Sequence, residues 1–176
     1  MIFEEKHISS ERIYEGKILN VRRDTVTAVK GQAYREIVEH NGAVAMIAVT
    51  EKGDMVMVKQ FRYAMGRVSL EIPAGKIDEG ETDPAGTAAR ELKEETGYTA
   101  KTIRRLGQIV PSTAYCEEVI HIYLMTDIIP GEQNLDEDEA VEVVEIPFDE
   151  VYEMAAHGKL EDAKTLAGVM MAKELL

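Results

Sequence analysis

Apolar and polar residues alternate from about Ile8 to Glu39, with Ile13, Ile18, Val21, Val26, Val29 and Ile37 on the apolar beat and Gly16 and Gly31 as interruptions. A period of two sends successive side chains to opposite faces of a pleated strand, so this portion predicts a run of antiparallel strands. Two continuous apolar runs follow, Ala43 to Val49 and Met55 to Val58, separated by Glu51-Lys52-Gly53-Asp54. Runs that are apolar on both faces suit strands covered on both sides, and the turn signal between them predicts a hairpin feeding the core.

The stretch Ser69 to Ile72 ends in Pro73-Ala74-Gly75, and an irregular acidic loop then extends to Asp83-Pro84. Asp can cap a helix and Pro can occupy its first position, so a helix is predicted over residues 84–96. Its apolar positions Ala85, Ala88, Ala89 and Leu92 make a narrow stripe, and Gly97 supplies the left-handed residue that ends many helices. Further strands are predicted at Ile103 to Ile109, Val119 to Thr126 and Val141 to Ile146, and helical spacing at Asp149 to Ala156 and Glu161 to Leu176. The order is mixed α and β, without repeats or a linker. One compositional anomaly remains, the acidic run Asp136-Glu137-Asp138-Glu139.

Composition narrows the partners. The 176 residues include 20 Lys and Arg against 33 Asp and Glu, a net charge of -13, which argues against a polynucleotide or an anionic membrane surface. The same charge would repel a small phosphorylated substrate unless cations stood between carboxylates and phosphates, so an acidic cleft points to a metal. A single cysteine, Cys116, rules out an internal disulfide and suits a reducing, cytoplasmic compartment. No apolar run approaches the roughly 18 residues of a membrane span, and the N-terminus lacks the basic-then-apolar order of a secretory signal.

The candidate chemistry sits on the predicted helix. Glu91 and Glu95 are four residues apart and project side by side, with Glu94 next to them. Like charges at that spacing destabilise a helix by roughly 0.2–0.5 kcal/mol, a cost reversed when a hard divalent cation bridges the oxygens. Taken alone, Arg90 to Glu95 would read as a solvated, salt-bridged face. The surroundings change that reading. Gly75-Lys76-Ile77-Asp78-Glu79-Gly80-Glu81 precedes the helix, and Arg90-Glu91-Leu92-Lys93-Glu94-Glu95-Thr96-Gly97-Tyr98 ends it. Together they resemble the Nudix box, G-x5-E-x7-R-E-U-x-E-E-x-G-U with U apolar. One departure is visible: eight residues, not seven, separate Glu81 from Arg90. If the loop near Thr82 absorbs the extra residue, Glu81 reaches the site; if the helix does, Glu79 or Asp78 takes its place.

The resemblance implies an α+β Nudix fold, an α/β/α sandwich with a mixed central sheet, preceded by an antiparallel β portion. It divides the chain into residues 1–40, a β portion in dimer contact, and a Nudix domain at 41–176. It further implies that Glu91 and Glu95 hold magnesium, or manganese in its stead, together with the backbone carbonyl of Ala74. Glu94 supports that group, and Arg90, four residues before Glu94, orients it. The general base of the ADP-ribose pyrophosphatase branch is a glutamate in a loop before a late strand. Glu139 is the choice here because it directly precedes Ala140-Val141-Glu142-Val143; Glu137 is second, and a merely solvated acidic loop is the alternative.

The chain resembles that branch in Gly42-Ala43-Val44-Ala45, Val58-Lys59-Gln60-Phe61-Arg62-Tyr63, Glu71-Ile72-Pro73-Ala74-Gly75 and Asp162-Ala163-Lys164-Thr165. By the same resemblance, Arg62 contacts substrate phosphates, Glu71 is a ligand contact or the partner of Arg62, and the protein is a homodimer. Planar two-point binding makes Arg apt for phosphate. Tyr34, Phe61 and Tyr63 offer two readings, stacking on a base or ordinary packing; packing is preferred, and no base-stacking pair is assigned. The branch commonly has a proline where this chain has Thr113, which bears on substrate. The implied substrate is a nucleoside diphosphate derivative, ADP-ribose foremost. The alternatives are other sugar nucleotides, nucleoside triphosphates, or a Nudix ligand sensor without catalysis.

Overall fold

The computed structural model describes residues 2–137 and 139–176; of the acidic run, Asp138 lies outside the described residues. The chain divides into two compact units, residues 1–42 with 110–119, and residues 43–109 with 120–176.

The first unit is built on a three-stranded antiparallel sheet of β1 (His7–Glu15), β2 (Asn20–Thr27) and β3 (Gln32–Glu39) in the order β1-β2-β3. The alternating pattern predicted these strands, and Gly16 and Gly31 fall in the two connections. Residues 110–119 join this unit through backbone pairing beside β3: the Val38 N–H donates to Tyr115 O at 2.7 Å and the Glu117 N–H donates to Val38 O at 3.0 Å. Arg22 reinforces the attachment. Its guanidinium donates from Nη1 to Glu39 at 2.7 Å, from Nη2 to Glu117 at 2.5 Å and from Nε to Asp24 at 3.1 Å.

The second unit is an α/β/α sandwich. Its sheet follows β10 (Val141–Pro147), β5 (Asp54–Arg62), β4 (Ala43–Val49), β9 (Ile120–Ile129) and β8 (Thr99–Ile109), with β6 (Arg67–Glu71) beside β5 and β7 (Ala74–Lys76) beside β4. Among the described residues only β4 and β9 run parallel, so the sheet is mixed. All of β4 is buried, as its unbroken apolar run requires of a central strand. Its side chains divide by parity. Ala45, Ile47 and Val49 pack on one side with Val151 of α2 (Phe148–Ala156) and with Val169 and Ala172 of α3 (Ala163–Ala172). Val44, Met46 and Ala48 pack on the other with Ala88 and Leu92 of α1 (Pro84–Thr96).

The predicted hairpin is present but brief, since β4 and β5 pair only at Ala48↔Val56 and Val49↔Met55. Beyond that point β7 takes the place beside β4, with Val44 opposite Gly75, while β5 turns to β6 and β10. Residues 74–76, which the sequence reading gave no element of their own between the stretch Ser69 to Ile72 and the acidic loop, are therefore a strand. Three residues are too few to display a period, and their pairing with β4 is what makes them one.

Candidate functional site

Helix α1 is bounded as its sequence dictates. Asp83 accepts the Ala85 N–H at 3.2 Å, Pro84 opens the first turn, and Gly97 closes the last at φ 79°, its N–H donating to Lys93 O at 2.8 Å. With Ala88 and Leu92 turned into the core, Arg90, Glu91, Glu94 and Glu95 are left along the rim of the helix, where Glu91 meets Gly75 and Glu95 meets Ala74 of β7.

Arg90 is the hub of this rim. Its Nη1 lies 2.7 Å from Glu94 Oε2 and 2.9 Å from Glu91 Oε1, and its Nη2 lies 3.4 Å from Glu81 Oε1. The extra residue between Glu81 and Arg90 is absorbed in the loop, because the helix begins only at Pro84. Glu81 is held by the Asp78 N–H at 2.9 Å and the Thr87 hydroxyl at 3.1 Å, contacts that, together with Arg90, draw its pKa down. Asp78 itself stays 3.9 Å from Arg90, and no contact draws Glu79 in among the described residues.

Glu91 and Glu95 lie deeper. Gly75 faces Glu91 so closely that a Cβ there would overlap the Glu91 carboxyl group. Glu95 is buried, accepts the Ala74 N–H at 2.9 Å, and has no ion pair among the described residues. Burial raises the pKa of Glu91; Arg90 opposes the rise, and Glu94 and Glu139 add to it. Burial likewise pushes Glu95 up to about 7, against the Ala74 N–H and with the help of Glu91 and Glu139. The loop carboxylate of Glu139 is thus near enough to be felt by both helix carboxylates. Glu139 is exposed, and its Oε2 accepts the Asp136 N–H at 3.3 Å.

Such a group suits a divalent cation. Two carboxylates that burial and mutual repulsion keep from ionising freely, one without a cationic partner, gain from a hard ion that accepts oxygen ligands. Among the described residues no three His, Cys, Asp or Glu side chains form a closed cage.

Arg62 and Glu71 stand together in a second cluster. Arg62 Nε donates to Glu71 Oε1 at 2.8 Å and Nη2 to Oε2 at 2.7 Å, a two-point pair. Sequence reasoning gave Lys164 no role, yet its buried ammonium donates to Glu71 Oε2 at 2.5 Å and lies 3.0 Å from Asp162. Asp162 caps α3 by accepting the Thr165 N–H at 2.9 Å, while the Thr165 hydroxyl accepts the Ile72 N–H at 3.0 Å. Burial alone would raise the pKa of Glu71, but Arg62 and Lys164 outweigh it and bring it down to about 2. Lys164, the one charged residue of α3, was the available signal, since such a charge is rarely buried unpaired.

The packing assigned to three aromatics is not found. Tyr34, Phe61 and Tyr63 are 67%, 57% and 92% exposed, and Arg23 lies over the Tyr34 ring at 5.1 Å. Phe61 and Tyr63 stand at the end of β5 and in the 3-10 turn after it, where no element covers them among the described residues.

Known proteins resemble this chain. The chain is 41% identical to the ADP-ribose pyrophosphatase of Bacillus subtilis (strain 168) over 178 residues, 98% of this chain and 96% of that protein. It is 40% identical over 171 residues to the methanol dehydrogenase activator of Bacillus methanolicus, covering 96% of this chain and 92% of that one. A crystal structure of an ADP compounds hydrolase has the same fold at a TM-score of 0.86, with 19% identity over 100% of this chain and 96% of that chain. The NUDIX domain family matches residues 39–168, from the end of β3 into α3, and the chain belongs to that family.

Proposed function

We propose that this protein hydrolyses the pyrophosphate of ADP-ribose to AMP and ribose 5-phosphate, with magnesium as its divalent cation. The observation that carries the reading is the placing of Glu91 and Glu95 of α1 against β7, where Gly75 leaves room for the Glu91 carboxyl group and the Ala74 N–H donates to Glu95. The substrate follows from the likeness to an ADP-ribose pyrophosphatase along nearly the whole chain.

Glu91, Glu95 and the Ala74 carbonyl are the residues that would hold the cation. When bound, it neutralises the diphosphate oxygens that an acidic protein would otherwise repel. Arg90 orients Glu91 and Glu94 through its Nη1. Glu139 accepts the proton of the water that attacks phosphorus, and the bond from phosphorus to the bridging oxygen breaks as the new one forms. Arg62 contacts the substrate phosphates, steadied by the two-point pair with Glu71. Residues 1–40 supply a homodimer contact: every residue of β1 is exposed, and Ile8, Ile13 and Tyr14 along it are apolar. Placement in the cytoplasm fits the single cysteine, and no helix among the described residues is long and apolar enough to cross a membrane.

Product identification decides among substrates. Purified protein with magnesium is incubated with ADP-ribose, sugar nucleotides, dinucleoside polyphosphates and nucleoside triphosphates, and the products are separated. AMP with ribose 5-phosphate is expected from ADP-ribose. Turnover of another compound in its place reassigns the substrate, and tight binding of ADP-ribose without turnover in magnesium or manganese makes the protein a ligand sensor.

A further inference from the structure

The chain between β9 and β10 leans on the C-terminal end of α1. A helix leaves its last four carbonyls without intrahelical partners, and α1 gives two of them to this loop. The Asn134 N–H donates to Glu94 O at 2.9 Å, and the Gln133 side-chain Nε2 donates to Glu95 O at 2.7 Å. The backbones also meet at two glycines, where a Cβ on Gly131 would stand 2.8 Å from Gly97 O. The same Gln133 amide reaches the carbonyl of Val141, the first residue of β10, at 3.5 Å. One side chain thus spans from the last turn of the helix to the start of the strand, and Glu139 lies two residues before that start.

The span has work to do. Glu139 acts by charge on Glu91 and Glu95 of α1, and like charges repel across that gap. A primary amide is neutral and has two donors, so it can serve two carbonyls without adding to the repulsion. A carboxylate at the same position would have no donor and one more negative charge.

We propose that Gln133 is a positioning residue: its amide ties the last turn of α1 to the first residue of β10 and thereby sets where Glu139 stands relative to Glu91 and Glu95. This rests on the reading of Glu139 as the proton acceptor. Gln133 is exposed, so its substitution leaves the core intact. Gln133→Leu and Gln133→Glu are each made alone and with Glu139→Gln, and kcat and KM are measured with ADP-ribose and magnesium. Each single Gln133 variant is expected to lower kcat about tenfold or more with KM nearly unchanged. Added to Glu139→Gln, neither should lower kcat by more than about twofold again, because a group that acts through Glu139 has nothing left to position. Losses that multiply in the double variants, or normal kcat in Gln133→Leu beside a slow Glu139→Gln, overturn the proposal and leave the role of Glu139 standing. Near-normal turnover in Glu139→Gln alone removes Glu139 from the reaction, and the proposal with it.

Discussion

Gly75 and Glu91 occupy one space: the strand residue lacks a side chain where the helix carboxyl group lies, so the hydrogen at Gly75 is what admits Glu91 to the cleft. The match is specific, because β7 beside β4 fixes the glycine and α1 fixes the glutamate. Gly75→Ala should therefore push Glu91 aside without unfolding the protein, since what must move is the end of a flexible side chain. A loss of about 10- to 100-fold in activity or metal affinity is expected with a nearly unchanged melting temperature, by kinetics, metal titration and thermal melts. An unaltered metal titration would show that Glu91 is not a ligand.

Glu139→Gln removes a proton acceptor while keeping shape. Turnover should fall by about 10²- to 10⁴-fold, the usual contribution of a general base. As Glu139 is exposed, its melting temperature should match that of the parent. Steady-state kinetics beside a thermal melt separates the two effects.

Two glutamates pull acid stability in opposite directions. Glu95 is raised from 4.5 to about 7, so the folded protein holds a proton there that the unfolded chain has released, and stability is lost as pH rises through that window. Glu71 is lowered from 4.5 to about 2, so its contribution is present above 4.5 and is lost as pH falls toward 2. Metal-free protein should melt highest near the lower end of the first window. Magnesium should raise the melting temperature more at pH 8 than at pH 5, because a carboxylate must release its proton to bind a cation. Melts with chelator and with magnesium across pH test both signs, and an equal magnesium effect at the two pH values would remove Glu95 from the ligand set.

Lys164→Met should destabilise the protein by about 3 kcal/mol, since it leaves the buried Glu71 with one cation in place of two and takes from Asp162 the ammonium it pairs with. Chemical denaturation measures it. The loss should be smaller at pH 3 than at pH 7, where Glu71 is fully charged.

Gly97→Ala combines two faults. The position has φ 79°, which costs an L residue roughly 1–2 kcal/mol, and its Cβ would stand 2.5 Å from the Gly131 carbonyl oxygen. A backbone cannot yield as a side-chain tip does, so the loop must shift. Both stability and kcat should fall, in contrast to Gly75→Ala, where stability is kept.

What could be read in the sequence was what local chemistry fixes. Asp83, Pro84 and Gly97 bound a helix wherever they flank such a stripe, and α1 spans residues 84–96 as they predict. The carboxylates of α1 were legible for the same reason, since helical spacing alone makes neighbours of Arg90 and Glu94 and of Glu91 and Glu95. Alternation predicted the first three strands, and unbroken apolar runs predicted β4 and the start of β5. At α3 the spacing over Glu161 to Leu176 outran the helix, which ends at Ala172 where its buried face ends.

Tertiary structure decided everything that depends on groups distant in sequence. Whether Ala74–Lys76 is loop or strand depends on β4, and whether Glu95 is a free carboxylate or one raised to about 7 depends on the depth at which α1 is buried. Lys164 meets Glu71 across 93 residues and Gln133 meets Glu95 across 38, separations at which no periodicity operates. Spacing along a chain determines which side chains share a face of one element. Only packing determines which faces meet, and burial at that meeting sets the charge of the groups caught between them.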